Sequence, residues 1–232
     1  MLERCSASRR DIDDRTVSID DEATNRQKGP MSEMSEQRQL FPMMLDLTGR
    51  RCVIVGAGAI GEGKIQGLLA TKAALVVLAP TATPKVEQWA RQGLIVYSQR
   101  QFEPDDLNGA FLVVAATSSS EFNHRVHDEA RRRGVLCNVV DDPEHCDFFY
   151  PAVVRRGALQ IAISTSGVSP AFARRVRQKL EAQFGEEYGA WLDQVARRRE
   201  EVLRSVTDPA QRRRILEELA TVNSPLPGDA ER

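Results

Sequence analysis

Between residues 51 and 140, five short apolar runs alternate with stretches of helical spacing, and no other feature restricts the fold as tightly. "RCVIVGAG" reads as a strand entering a glycine turn, followed by "AIGEGKIQGLLATK", a helix with Ile60, Ile65, Leu68 and Leu69 on one face. "ALVVLAP" is a second strand, and "TPKVEQWARQG" a helix with Thr83 as cap, Pro84 in the first turn and Gly93 at the stop. "LIVYSQ", "FLVVAAT" and "VLCNVV" supply three more strands, separated by the short turn or helix "EPDDLNGA" and the helix "SSEFNHRVHDEARRRG". Strands separated by helices are joined by crossovers, so an α/β fold is expected, a Rossmann-like doubly wound parallel sheet over 39–150.

The pattern then changes. "YPAVVRRGALQIAISTS" reads as two short strands around Arg156 and Gly157, a hairpin instead of another βα unit. Helices follow: one with Ser169 as cap and Pro170 at its first position, one with Trp191, Val195, Val202 and Val206 as its apolar stripe, and one capped by Asp208 before Pro209. The expected segments are therefore a hairpin and helix over 151–182, a helical domain over 183–222 and a loose tail over 223–232. Residues 1–38 are polar and charge-mixed with neither strand nor helix period, and are expected to be a disordered extension.

Composition narrows the function classes. Lys and Arg total 32 against 33 Asp and Glu, a formal net charge of -1, so bulk charge points to no nucleic-acid partner. No apolar run approaches the roughly 18 residues needed to span a bilayer, and the first residues lack the apolar centre of a signal peptide. The four cysteines form no CxxC pair; Cys52 and Cys137 fall inside strands, as small buried thiols do. A cytoplasmic protein is expected.

Gly56, Gly58 and Gly61 form a GxGxxG between a strand and a helix, the context in which that spacing binds a dinucleotide. Ala59, Ile60 and Gly61 open the helix whose free amides meet a diphosphate. The second strand ends at Ala79 and Pro80 with no acid for the ribose and no arginine for a 2′-phosphate, so backbone or Thr81 must hold that ribose, and NAD versus NADP stays open. Thr117 and the serines after the fourth strand either line the nicotinamide side or cap the next helix. Asp141 and Asp142 end the fifth strand, where ligands bind in open α/β sheets. Asp141 is expected to act chemically, and Asp142 to form the turn before Pro143. His145 is a candidate metal ligand, with no metal assigned; His124 and His127 are expected in solvent. Arg155, Arg156, Arg174, Arg175 and Arg177 form a basic face, either solvated or paired with substrate carboxylates.

Three runs, "LFPMMLDLTGRRCVIVGAGAIGEGKIQGLL", "FLVVAATSSSEFNHRV" and "CNVVDDPEHCDFFYPAVVRRGALQIAISTSGVSPAFARRVRQKLE", together resemble the precorrin-2 dehydrogenase family, the first module of siroheme synthase. One loop departs: Ser164, Thr165, Ser166 and Gly167 stand where the family usually has two serines and two glycines. The resemblance implies NAD-dependent dehydrogenation of precorrin-2, a tetrapyrrole, to sirohydrochlorin, with Asp141 the residue linked to catalysis. Asn138, Ser164, Thr165, Ser169 and Arg174, all within the third run, are expected to face the substrate. A homodimer whose 151–182 region crosses between subunits is also implied, acting as a stand-alone dehydrogenase without a methyltransferase module. The alternatives are a bifunctional enzyme that also inserts Fe2+ into sirohydrochlorin, and a Rossmann module that senses NAD(H) without chemistry.

Overall fold

A computed structural model describes residues 39–221 and 224–226. The extension expected over 1–38 and the remainder of the tail lie outside the described residues.

Five strands, β1 (Arg51–Ala57), β2 (Ala74–Ala82), β3 (Val96–Ser98), β4 (Leu112–Ala115) and β5 (Leu136–Val139), make one sheet in the order β3-β2-β1-β4-β5, parallel at every pairing. The connections are α1 (Ala59–Leu69), α2 (Pro84–Arg91), a 3-10 turn at Pro104–Leu107 and α3 (Ser120–Arg133). Neighbouring side chains leave a pleated strand on opposite faces. Cys52 and Ile54 of β1 thus join Leu112 and Val114 of β4 in a core covered by Ile65 and Leu68 of α1 and by Val86 and Trp89 of α2. Val53, Val55, Val113 and Ala115 enter a second core, covered by Val126 and Ala130 of α3. Burial on both faces explains why these runs are continuously apolar.

Several strand limits differ from expectation, β2 and β3 among them. β2 continues past Pro80 to Ala82, whereas β3 keeps only Val96–Ser98 of "LIVYSQ", a length suited to a sheet edge. Ile60 is 53% exposed and not part of the buried α1 face. It sits in the first turn of α1, just past the end of β1, where no strand lies beneath it.

Strands β6 (Ala152–Arg156) and β7 (Leu159–Ile163) form the expected antiparallel hairpin, and α4 (Pro170–Gln183), α5 (Glu187–Ser205) and α6 (Pro209–Leu219) follow. Side chains of Thr83, Ser119, Ser169 and Asp208 accept from backbone amides at the starts of α2, α3, α4 and α6, as their sequence positions predict. The expected α5 stripe, Trp191, Val195, Val202 and Val206, is half-buried. The Arg156 guanidinium donates to Phe184 O at 2.7 Å and Glu181 O at 3.0 Å. It thereby satisfies carbonyls at the end of α4 that the helix itself leaves open. The tail is not loose throughout: Ser224 is buried, and the Tyr188 hydroxyl donates to Pro225 O at 3.0 Å. Among the described residues no helix is long and apolar enough to cross a membrane.

Candidate functional site

β1, β4 and β5 all end at one edge of the sheet, and the chain leaves β1 and β4 in opposite directions, so a crevice opens between them. The glycine loop lies there. Gly56 has φ +107, and a Cβ on it would stand 2.4 Å from Ala116 O; a Cβ on Gly61 would stand 2.1 Å from Gly56 O. Both positions are closed to any other residue by backbone. Gly58 differs: its φ is -75, a Cβ there meets nothing within 4 Å, and it caps α1 without a side chain. Open space in front of the unpartnered amides of Ala59, Ile60 and Gly61 is what a diphosphate requires, so these residues fit the dinucleotide.

Two of the remaining cofactor candidates, Ala79 and Thr117, make bonds within the fold. The Ala79 carbonyl accepts from the Tyr97 hydroxyl at 3.0 Å, its methyl lies in the core, and Pro80 is exposed. The Thr117 hydroxyl donates to Asn123 Oδ1 at 2.7 Å, and Asn123 Nδ2 returns a bond to Thr117 O at 3.1 Å. The two residues lock the turn into α3 while Ser119 caps that helix. Glu62, on α1, is held by the Thr83 hydroxyl at 2.7 Å and by Lys85; no acid projects from the end of β2.

After β5 the chain turns sharply: the Asp142 amide donates to Val139 O at 3.3 Å, and Asp141 takes φ +60. Asp141 is exposed, and no hydrogen bond or ion pair engages its carboxylate among the described residues. A non-glycine residue held in the left-handed region at a sheet's ligand-binding edge costs energy that the turn must supply. The chain then runs back along β5. Asp147 exchanges bonds with Cys137 at 2.8 Å in both directions, and Asn138 Nδ2 donates to Phe148 O at 2.8 Å. Burial pushes the Cys52 thiol up to about 11 and the Cys137 thiol to about 12, so both are inert core groups, as expected.

A cleft of about 470 Å³ joins the two halves of the described chain. Its wall includes Asn138, Asp141, Ser164, Thr165, Arg174 and Arg177, which the sequence singles out, together with Lys64 and Tyr150, which it does not. Lys64 sits in α1 with its ammonium 4.0 Å from the centroid of the Tyr150 ring. Its pKa is lowered, chiefly by burial, with the charge of Asp141 acting in the opposite sense. The signal for Lys64 was available: it lies three residues after Gly61 and one before Ile65, inside the buried stripe of its helix.

Several expectations change here. Ser169 is outside the cleft wall; its hydroxyl accepts from the Phe172 amide at 3.2 Å and caps α4. Asn138 reaches the wall, but its amide nitrogen is taken by Phe148 O. Of the basic face, Arg174 and Arg177 line the cleft, Arg177 paired with Glu181, while Arg156 closes α4. In the loop that departs from the family pattern, Ser166 takes φ +51 and Gly167 φ +86. The left-handed geometry survives without the first glycine, at a strain of roughly 1 kcal/mol.

Asp142 is not a capping turn residue: its side chain makes no cap bond. Its carboxylate lies 2.6 Å from His124 Nε2 and 2.8 Å from His145 Nδ1. His145 first, then His124, holds that carboxyl well below the usual range, at about 2. His127, expected in solvent, is largely covered, with its ring edge-on to that of His145. α3 returns beside the end of β5, which sequence spacing alone does not reveal.

A glycine fingerprint at the crevice of a five-stranded parallel sheet defines an NAD(P)-binding Rossmann protein. The family model for putative NAD(P)-binding matches residues 43–152, and that for the sirohaem biosynthesis protein central region matches 156–183. Two successive stretches of the chain thus match an NAD(P)-binding domain and the central domain of sirohaem biosynthesis proteins. Siroheme synthase 1 of Aeromonas hydrophila is 38% identical over 179 residues, 77% of this chain and 38% of that protein. Siroheme synthase of Photorhabdus laumondii is 37% identical over 178 residues, again 77% of this chain and 38% of the relative. The chain thus spans well under half the length of these curated relatives. The solved structure of SirC, a precorrin-2 dehydrogenase, superposes with a TM-score of 0.68 at 28% identity, covering 78% of this chain and 89% of that one.

Proposed function

We propose that this protein oxidises precorrin-2 to sirohydrochlorin with NAD as the hydride acceptor. The observation that carries this reading is the placement of Asp141: an unpaired carboxylate in a strained turn, on the wall of a cleft that also presents Lys64, Arg174 and Arg177. The likeness to SirC over most of its length supports it. Bound NAD supplies the hydride acceptor. The glycine loop holds its diphosphate, and Lys64, Arg174 and Arg177 pair with carboxylates of the macrocycle. Asp141 accepts the proton that must leave when the hydride departs, so that the substrate loses two electrons and two hydrogens in all. Mixing the purified chain with NAD and enzymatically generated precorrin-2 is expected to produce NADH absorbance. NAD binding without NADH formation would leave only the sensing module.

The working unit in this proposal is a homodimer formed through 151–182, in the cytoplasm. One observation supports the dimer: the apolar Val168 and Phe172 are 68% and 59% exposed. Phe172→Asp changes a mostly exposed side chain and is expected to yield monomers by light scattering. A stable dimer of that variant would refute this interface.

A further inference from the structure

Three ligand side chains, one from α3 and two from the loop after β5, converge where α3 passes the end of β5. His124 Nε2 and His145 Nδ1 approach the same oxygen, Asp142 Oδ2, at 2.6 and 2.8 Å. One ligand atom from each residue lies within 4.8 Å of the others. The His124 and His145 rings stack with centroids 4.1 Å apart and an interplanar angle of 21°.

Hydrogen bonding accounts for half of this arrangement. His124 bonds the carboxylate. His145 Nδ1 is buried and stands 2.8 Å from the same oxygen as an ion-pair partner, but at an angle too poor for a well-formed hydrogen bond. Native proteins seldom leave a buried polar atom without a well-aligned hydrogen bond. A cation shared by both imidazoles and the carboxylate would satisfy all three.

We propose that His124, Asp142 and His145 bind one divalent first-row transition ion, at a position separate from Asp141. Two imidazole nitrogens with one carboxylate suit Zn2+, Fe2+, Co2+ or Ni2+, whereas Mg2+ and Ca2+ prefer oxygen ligands. Ligand bonds of about 2.0–2.2 Å set adjacent donors roughly 3.0–3.4 Å apart, so the two contacts to Asp142 Oδ2 lengthen by about half an ångström around the ion. Three protein ligands leave at least one coordination position free. All three side chains are partly exposed, at 39%, 24% and 32% for His124, Asp142 and His145, so the ion exchanges with solvent. Its binding ties α3 to the loop that sets Asp141. Because Asp142 also lines the cleft, the ion adds positive charge at its rim.

Calorimetric titration of the metal-free full chain with Zn2+, without NAD or tetrapyrrole, tests this. One saturable equivalent is expected, and His124→Ala and His145→Ala are each expected to weaken it by at least about tenfold. Asp141→Asn is expected to bind like the wild type, and melting curves of the metal-free variants show that each is folded. In parallel, Co2+ is expected to give visible ligand-field absorption in the wild type that both histidine variants lose. No saturable binding by the wild type would overturn the proposal. So would undiminished binding by folded histidine variants, or loss through Asp141→Asn alone, since either puts the ion elsewhere. With cofactor and substrate absent, the outcome is independent of the dehydrogenase reading.

Discussion

Gly58→Asp is expected to fold as well as the wild type and to lose NAD binding. Gly58 caps α1 with φ -75 and ψ -171, backbone that any residue adopts, and a Cβ there meets nothing. Aspartate is among the best helix caps and glycine a weaker one, so the substitution, if anything, strengthens the start of α1. The same carboxylate would occupy the place of a diphosphate. Like charges brought together cost several kcal/mol, which corresponds to about a hundredfold or more in affinity. Fluorescence titration with NADH and a melting curve separate the two effects. Gly56→Ala makes the contrasting case, since its Cβ would meet Ala116 O at 2.4 Å, and that variant is expected to lose stability. An unchanged NAD titration for Gly58→Asp would show that the dinucleotide lies elsewhere.

Asp141→Asn is expected to bind NAD normally and to turn over precorrin-2 about 10²–10⁴-fold more slowly, the usual scale of general acid–base assistance. Asparagine is the suitable replacement because φ +60 tolerates Asn far better than it tolerates alanine. The turn therefore stays in place and only the proton acceptor is removed. Near-normal NADH production by this variant would mean that Asp141 serves the turn and another group takes the proton.

Much of this was legible in the amino-acid order. The five sheet strands, the hairpin, and the caps Thr83, Ser119, Ser169 and Asp208 follow from local rules: side-chain period, amide satisfaction at helix starts, and proline geometry. The glycine loop was legible for the same reason, since its three constraints lie within six residues, and so was the position of Asp141 at a strand end. Other features were not. Sequence spacing placed Ile60 on a buried face because periodicity carries no information on where the neighbouring strand stops. Asp142 read as a turn residue and His124 as a solvent-facing one, because 18 residues separate them and only the path of α3 brings them to 2.6 Å. Ser169 served two readings in the sequence, and the structure assigns its hydroxyl to the cap of α4.

The sequence by itself determined the parallel sheet, the dinucleotide loop and the unusual carboxylate at the end of β5, because each depends on neighbours along the chain. Only the tertiary structure decided that Lys64, Arg174 and Arg177 line the same cleft as that carboxylate, and that His124 and His145 share Asp142. Those groups meet across crossovers and a returning loop, where distance along the chain says nothing about distance in space.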